Sequence, residues 1–284
     1  MHPTALLALD LAHDPEATVA AAAPWLAHLD ARVHAAWADP HTGVAAWVRF
    51  TQLASLWADA ATQLAALQLA HLRELIATLP HAQQGDALLL DGDPAAALTT
   101  AGQSFDLLVI GTSGPHHTLS AAGDRILRGA TVPVLVARPN PVPSSPRVLI
   151  AVDARSGAEA LVAAALPWLR QLDARVEIVH VEDTIPAAWA DALPVHDHDG
   201  PPAEERLLLD EAMTRLKRSV HAALPVRASV ARGVPHKVIR ELAADHDLVI
   251  VGTHSRTGLA RLWLGSVTER IARDCRVSLL VFHL

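Results

Sequence analysis

Apolar residues fall along this chain in short continuous runs, separated by longer stretches with a helical period. In the second half the runs are Val148–Val152, Val176–Val181, Val226–Ala231, Leu248–Val251 and Val277–Phe282, and most of them do not alternate with polar positions. Strands of that kind belong to a parallel sheet with helices on both faces, because every side chain is then covered. The stretches between them predict helices at roughly Ala158–Gln171, Ala203–Leu224, Pro235–Ala244 and Ser266–Asp274. Five strands alternating with four helices predict a doubly wound, Rossmann-like α/β domain with a five-stranded parallel sheet. The first half repeats the pattern, with strands near Ala5–Leu9, Val33–Trp37, Ala87–Leu90, Leu107–Ile110 and Val134–Val136. Its second helix, roughly Val48 to Leu79, is long and rich in Leu, Ala and Trp. It either covers the core or offers apolar surface to a partner.

The two halves are copies. Pro24-Trp-Leu-Ala-His-Leu-Asp-Ala-Arg-Val33 recurs as Pro167-Trp-Leu-Arg-Gln-Leu-Asp-Ala-Arg-Val176, with eight of ten positions identical at an offset of 143. Phe105-Asp-Leu-Leu-Val-Ile-Gly-Thr112 matches His246-Asp-Leu-Val-Ile-Val-Gly-Thr253 at an offset of 141. Asp10 and Asp153 each close an opening apolar run, again 143 apart. Separate blocks at nearly one offset mean duplication of a whole domain. Between the copies lies Arg138-Pro-Asn-Pro-Val-Pro-Ser-Ser-Pro146, whose four prolines read as a stiff linker. The expected domains are therefore residues 1–138 and 147–284. The last strands, Val134–Val136 and Ser278–Phe282, are apolar sheet edges that need covering. Packing one against the other, with the two domains as a pseudo-dimer, covers both, and a homodimer of the whole chain stays open.

Composition narrows the class. A hydrophobic fraction of 51% with 19% charged residues is globular. No apolar run reaches the ~18 residues that span a bilayer, and the first ten residues lack the features of a signal peptide. One cysteine, Cys275, excludes an intrachain disulfide framework and fits a reducing cytoplasm. A formal charge of −7 without a long basic run argues against a general nucleic-acid binder. The expectation is a soluble cytoplasmic protein with no nucleic-acid or membrane partner.

Candidate chemistry concentrates beyond the carboxyl ends of the second half's strands, where open α/β sheets bind ligands. Asp153 ends the first of these strands and Val181 the second; the loop Gly252–Ser266 follows the fourth. That loop runs from a buried strand into the helix opened by Gly265-Ser266, which aims backbone N–H groups and a helix N-terminus at one spot and suits a phosphate. Asp153 could hold a ribose hydroxyl or magnesium, or it could cap the following helix.

The run Gly252-x2-Ser255-x9-Gly265-Ser266 resembles the nucleotide motif of the universal stress protein family, G-x2-G-x9-G-[S/T]. Val148-Leu-Ile-Ala-Val-Asp153 is similar to that family's opening strand, and Val179-His180-Val181 to its second, whose valine backbone meets adenine in ATP-binding members. The resemblance spans both halves. It implies ATP, or AMP or ADP, bound in the second domain, with or without magnesium. The implied contacts are Asp153, Val181, Gly252, Ser255, Gly265 and Ser266, with His254 and Val267 beside them. Ser255 departs from the motif's glycine; it adds a side chain where close approach is wanted and a hydroxyl that can meet phosphate.

The first domain's version has decayed. Gly111-Thr-Ser-Gly114 leads to Ser120-Ala121 in the place of Gly265-Ser266, over a shorter loop, and Asp124 stands at the helix start. Residues 1–143 hold 6 Arg and Lys against 12 acids, whereas residues 144–284 hold 17 against 18. A carboxylate competes with phosphate for a helix N-terminus, so the first domain reads as a nucleotide-free partner. His196-Asp-His-Asp199 and His116-His117 are weak metal patterns. No Walker-A lysine motif appears. The function expected is a nucleotide-binding stress-response protein with a regulatory role; the alternatives are a ligand-free interaction scaffold and a slow ATPase.

Overall fold

The computed structural model describes residues 2–39, 54–112, 118–183, 203–253 and 265–284. The first part of the chain forms β1 (Thr4–Ala8), α1 (Pro15–His28), β2 (Arg32–Asp39), α2 (Ala54–Ala77), β3 (Gln84–Asp91), α3 (Pro94–Gly102), β4 (Leu107–Ile110), α4 (Ala121–Gly129) and β5 (Val134–Val136). The second forms β6 (Arg147–Val152), α5 (Ala158–Gln171), β7 (Arg175–Glu182), α6 (Ala203–His221), β8 (Val226–Arg232), α7 (Pro235–Ala243), β9 (Leu248–Thr253) and α8 (Ser266–Asp274), and β10 (Ser278–His283) closes the chain. The proline-rich segment 137–146 carries neither helix nor strand.

Two compact units result. One holds residues 2–142 together with Ser278–His283; the other holds residues 143–253, Gly265–Val277 and Leu284. In the first unit the strands run β3-β2-β1-β4-β5, all parallel, and β10 joins antiparallel beside β5 with Leu279 opposite Val136 and Val281 opposite Val134. In the second unit the order is β9-β6-β7-β8, all parallel. Both are α/β sheets wound in two directions from their first strand. The continuous apolar runs are buried as their pattern requires: Leu6, Leu107, Leu108, Leu149 and Ile150 are each 0% exposed.

The two repeated sequence blocks are joints of the fold. In the longer block, Pro24 and Pro167 lie inside α1 and α5, and the block's aspartate follows each helix with positive φ, 45° at Asp30 and 49° at Asp173. Aspartate is among the few residues besides glycine that visit this left-handed region readily. The turn lets Ala31 N–H reach Leu26 C=O and Ala174 N–H reach Leu169 C=O, both at 3.1 Å. That Schellman closure satisfies the last carbonyls and delivers β2 and β7. In the shorter block, Asp106 Oδ2 accepts from Thr4 N–H (2.8 Å) and Asp247 Oδ2 from Arg147 N–H (2.7 Å). Each carboxylate clamps the start of the strand beside its own.

Two histidines of the first unit tie its stability to pH. His34 Nδ1 accepts from Asp86 N–H at 3.1 Å, and its ring meets Phe105 edge-on at 5.2 Å. Burial holds its pKa below the ordinary value, outweighing the nearby Asp86 carboxylate. His283 lies 2.9 Å from Leu127 C=O through Nε2 and 3.2 Å from Val132 C=O through Nδ1. Burial again lowers its pKa, against the pull of both carbonyls. A depressed folded pKa means that the unfolded chain binds the proton more tightly. The stability contributed is therefore full above the unfolded value of ~6.5 and lost as pH falls through the folded value. The melting temperature is expected to drop between about pH 7 and pH 5, and to drop less in His34→Gln; equal slopes in the two proteins would assign the loss elsewhere.

Candidate functional site

In the second unit the chain leaves β6 toward β7 on one side and later returns to β9 on the other. The crevice this reversal opens, about 330 Å3, lies at the carboxyl ends of β6, β7 and β9. Asp153, Val181, Gly252 and Val267 line it. Gly265 and Ser266 stand exposed at the start of α8, where Gly265 is the N-cap and Ser266 the first helical residue, and they do not line the cavity. His254 and Ser255 lie outside the described residues, as do both histidine pairs noted in the sequence.

Asp153 is not a helix cap. Its Oδ1 accepts from Arg155 N–H at 3.0 Å and its backbone carbonyl from Ser156 N–H at 2.9 Å, a local turn. Gly157, with φ of 72°, is the N-cap of α5 and provides no side chain to it. Gly252 suits its place because a Cβ there would come within 3.1 Å of Leu284 Cδ1 and 3.5 Å of Leu161. Thr268 Oγ1 donates to Gly252 C=O at 3.3 Å and so ties α8 to the end of β9.

The ladder between β6 and β7 ends at Val152 opposite His180. Its next rung would join Ala154 N–H to Val181 C=O. Ala154 N–H instead donates to His180 Nδ1 at 3.3 Å, so the Val181 carbonyl gains no partner from β6. The same Nδ1 lies 3.2 Å from the Val152 carbonyl, so it stands between a donor and an acceptor of the backbone. The ring's Nε2 is buried without a hydrogen-bond partner, and His180 as a whole is 5% exposed. Glu182 on the same strand end is buried too, with Oε2 3.0 Å from Arg232 Nε and Oε1 unpartnered. His180, Glu182 and Thr268 all line the crevice, and sequence reading had used His180 only as part of a strand. The signal available was a histidine inside the run Val176–Val181 with a glutamate directly after it.

Arg155 is the single Lys or Arg among the described lining residues, and it pairs with Glu205 at 2.6 Å. Arg270 lies 3.3 Å from His236, and Arg273 pairs with Glu269 at 2.8 Å; neither lines the cavity. The N-cap Gly265 has no side chain with which to bond the first N–H groups of α8. Cys275 is buried at the end of that helix. Among the described residues no three His, Cys, Asp or Glu come together as a metal site, and no helix is long and apolar enough to cross a membrane.

The corresponding place in the first unit differs at each point. Ser120, the N-cap of α4, accepts Gly123 N–H on its own Oγ at 3.0 Å. Asp124 sits in the helix's first turn, held by Arg128 at 3.0 Å, and Arg125 is committed to Asp93 at 2.7 Å. Asp10 has both oxygens engaged, by Ala12 N–H and by His13 Nδ1, each at 3.0 Å.

Residues 145–283 match the universal stress protein family. A universal stress protein of Mycobacterium tuberculosis is 25% identical over 205 residues, which cover 68% of this chain and 67% of that protein. One from Methanocaldococcus jannaschii is 31% identical over 124 residues, covering 39% of this chain and 66% of its own. The solved structure of a universal stress protein from Archaeoglobus fulgidus aligns over 99% of this chain and 96% of its own, with a TM-score of 0.67 at 16% identity, and so shares the fold. The order of strands, the crevice at their carboxyl ends and these likenesses agree: the chain belongs to the universal stress protein family.

Proposed function

We propose that the second unit binds ATP or a related adenine nucleotide, and that occupancy serves a regulatory rather than a catalytic role in the cytoplasm. The observation that carries the reading is the crevice at the ends of β6, β7 and β9, where Val181 offers a carbonyl released by the ladder. A carbonyl accepts from the exocyclic amine of adenine. Asp153 is placed for ribose hydroxyls, and the uncapped start of α8 at Gly265 and Ser266 for phosphate oxygens. His254 and Ser255 enter the proposal through the sequence motif alone. The described residues fit a nucleotide but build no cation site, so magnesium would be carried mainly by the phosphates. The reading takes binding rather than hydrolysis as the chemistry, with slow ATP hydrolysis as its alternative. The proposal also takes the two tandem domains as partners within one chain, with a homodimer as a further step of assembly.

Protein purified gently and then denatured is expected to release adenine nucleotide, and calorimetry on the stripped protein to give heat with ATP. No released nucleotide and no heat, with or without magnesium, would overturn the reading.

A further inference from the structure

The two units build the same pair of helices and charge it differently. α3 and α7 each open on a proline after the N-cap, and α4 and α8 follow them with equal lengths of nine residues. Within α4 Asp124 pairs with Arg128 at 3.0 Å, and at the same places of α8 Glu269 pairs with Arg273 at 2.8 Å. An arginine follows the acid in both helices, Arg125 and Arg270. In the first unit Arg125 forks onto the Asp93 carboxylate, Nη1 to Oδ2 at 2.9 Å and Nη2 to Oδ1 at 2.7 Å. Asp93 is the N-cap of α3 and also accepts from Ala96 N–H at 3.0 Å. In the second unit Val234 holds that N-cap position and offers no carboxylate. Arg270 meets His236 Nε2 at 3.3 Å instead.

The exchange leaves positive charge without its counterpart. Arg270 is exposed, and so are Lys237 and Arg240, one turn apart on α7. All three bear on the half-buried His236, whose pKa is held below its ordinary value by burial first and then by Arg270, Lys237 and Arg240, against the pull of Asp274. Of the acids on the two helices, Glu269 is taken by Arg273, while Glu241 and Asp274 stand in the last turns. Among the described residues none of the three cations forms an ion pair. The segment 254–264 before α8 adds two arginines to the sequence and no acid. None of the three cations lines the crevice. On open helix faces a small carboxylate finds no walls, whereas a chain with successive carboxylates can meet several cations together.

We propose that the outer face of α7 and α8, around Arg270, Lys237 and Arg240, is a docking surface for an acidic segment of a partner protein. Its carboxylates take the place that Asp93 fills in the first unit. A planar carboxylate gives Arg270 two parallel hydrogen bonds, the geometry that Arg125 already makes. The first unit needs no such partner because it carries the anion itself. The proposal does not depend on nucleotide binding in the crevice.

Fluorescein-labelled hexaglutamate, titrated with the full chain and read by anisotropy, is expected to bind at least about tenfold more tightly than labelled hexaglutamine, and to be released by salt. Val234→Asp rebuilds the first unit's arrangement. It should weaken hexaglutamate at least about tenfold while raising the melting temperature, since aspartate is the better N-cap. Arg270→Gln should weaken it at least about fivefold, and Arg218→Gln, on α6 beside α5, should not. The titration midpoint of His236, followed by NMR of its ring, should rise when the peptide neutralises the cations around it. No binding, or affinity that survives both Val234→Asp and Arg270→Gln, overturns the proposal. So does an equal loss in Arg218→Gln or an unmoved His236. A labelled hexathymidylate that binds as tightly as hexaglutamate overturns it too, by making the surface one for nucleic acid.

Discussion

Trp25→Ala is expected to destabilise the protein by roughly 3–5 kcal/mol, whereas Trp168→Ala, the same position of the repeated block, should cost only about 1 kcal/mol. Both tryptophans follow a proline inside the first helix of their half. Trp25 is 2% exposed and its Nε1 donates to Ser278 Oγ at 3.0 Å. That serine, itself buried, also accepts from Arg138 N–H at 3.1 Å, so the indole belongs to a polar knot joining α1, β10 and the segment after β5. Truncation leaves a large void there and removes a buried hydrogen bond. Trp168 is only half-buried. Shifts in the urea midpoint measure both variants, and equal losses would show that the repeat's sequence, and not its surroundings, sets the tryptophan's contribution.

Gly265→Val is expected to weaken ATP binding at least about tenfold while barely moving the melting temperature. Gly265 has φ of −55° and ψ of 142°, backbone that any residue adopts. An added Cβ would meet nothing nearer than Thr268 Oγ1 at 4.0 Å. The fold therefore loses on the order of 1 kcal/mol or less, the difference between a glycine and a valine N-cap. What valine adds is bulk over the first N–H groups of α8, which an anion must approach to about 3 Å. Ser120→Val is the counterpart in the first unit. It removes a working cap and should cost about 1 kcal/mol of stability, with nucleotide affinity unchanged. Calorimetry with ATP reads both, and full affinity in Gly265→Val would take α8 out of the phosphate site.

Much of the architecture could be read from the pattern of apolar runs. Helices Ala158–Gln171 and Ser266–Asp274 and strands Leu107–Ile110 and Val134–Val136 stand where period and composition put them. The repeated blocks were legible as duplication, but their physical content was not. An aspartate in a left-handed turn and another gripping a neighbouring strand become visible only when backbone angles and partners are known. The candidate site was legible where its residues stand at strand ends, as Asp153 and Gly252 do. His180 and Glu182 escaped because a polar residue inside an apolar strand carries no periodic signal of its own. Nothing in one sequence tells that Ala154 N–H deserts the ladder for an imidazole.

The place of β10 bears on how the protein is made. A ribosome that has finished β5 has produced most of the first unit, yet the strand that pairs with β5 and buries Ser278 against Trp25 is still to come, after every element of the second unit. The first unit's sheet must therefore wait with an uncovered apolar margin during synthesis, the state in which nascent chains most readily stick to one another. Contacts that join residues 253 positions apart also close slowly. Emergence of β10, rather than of β5, is the moment at which that unit becomes whole.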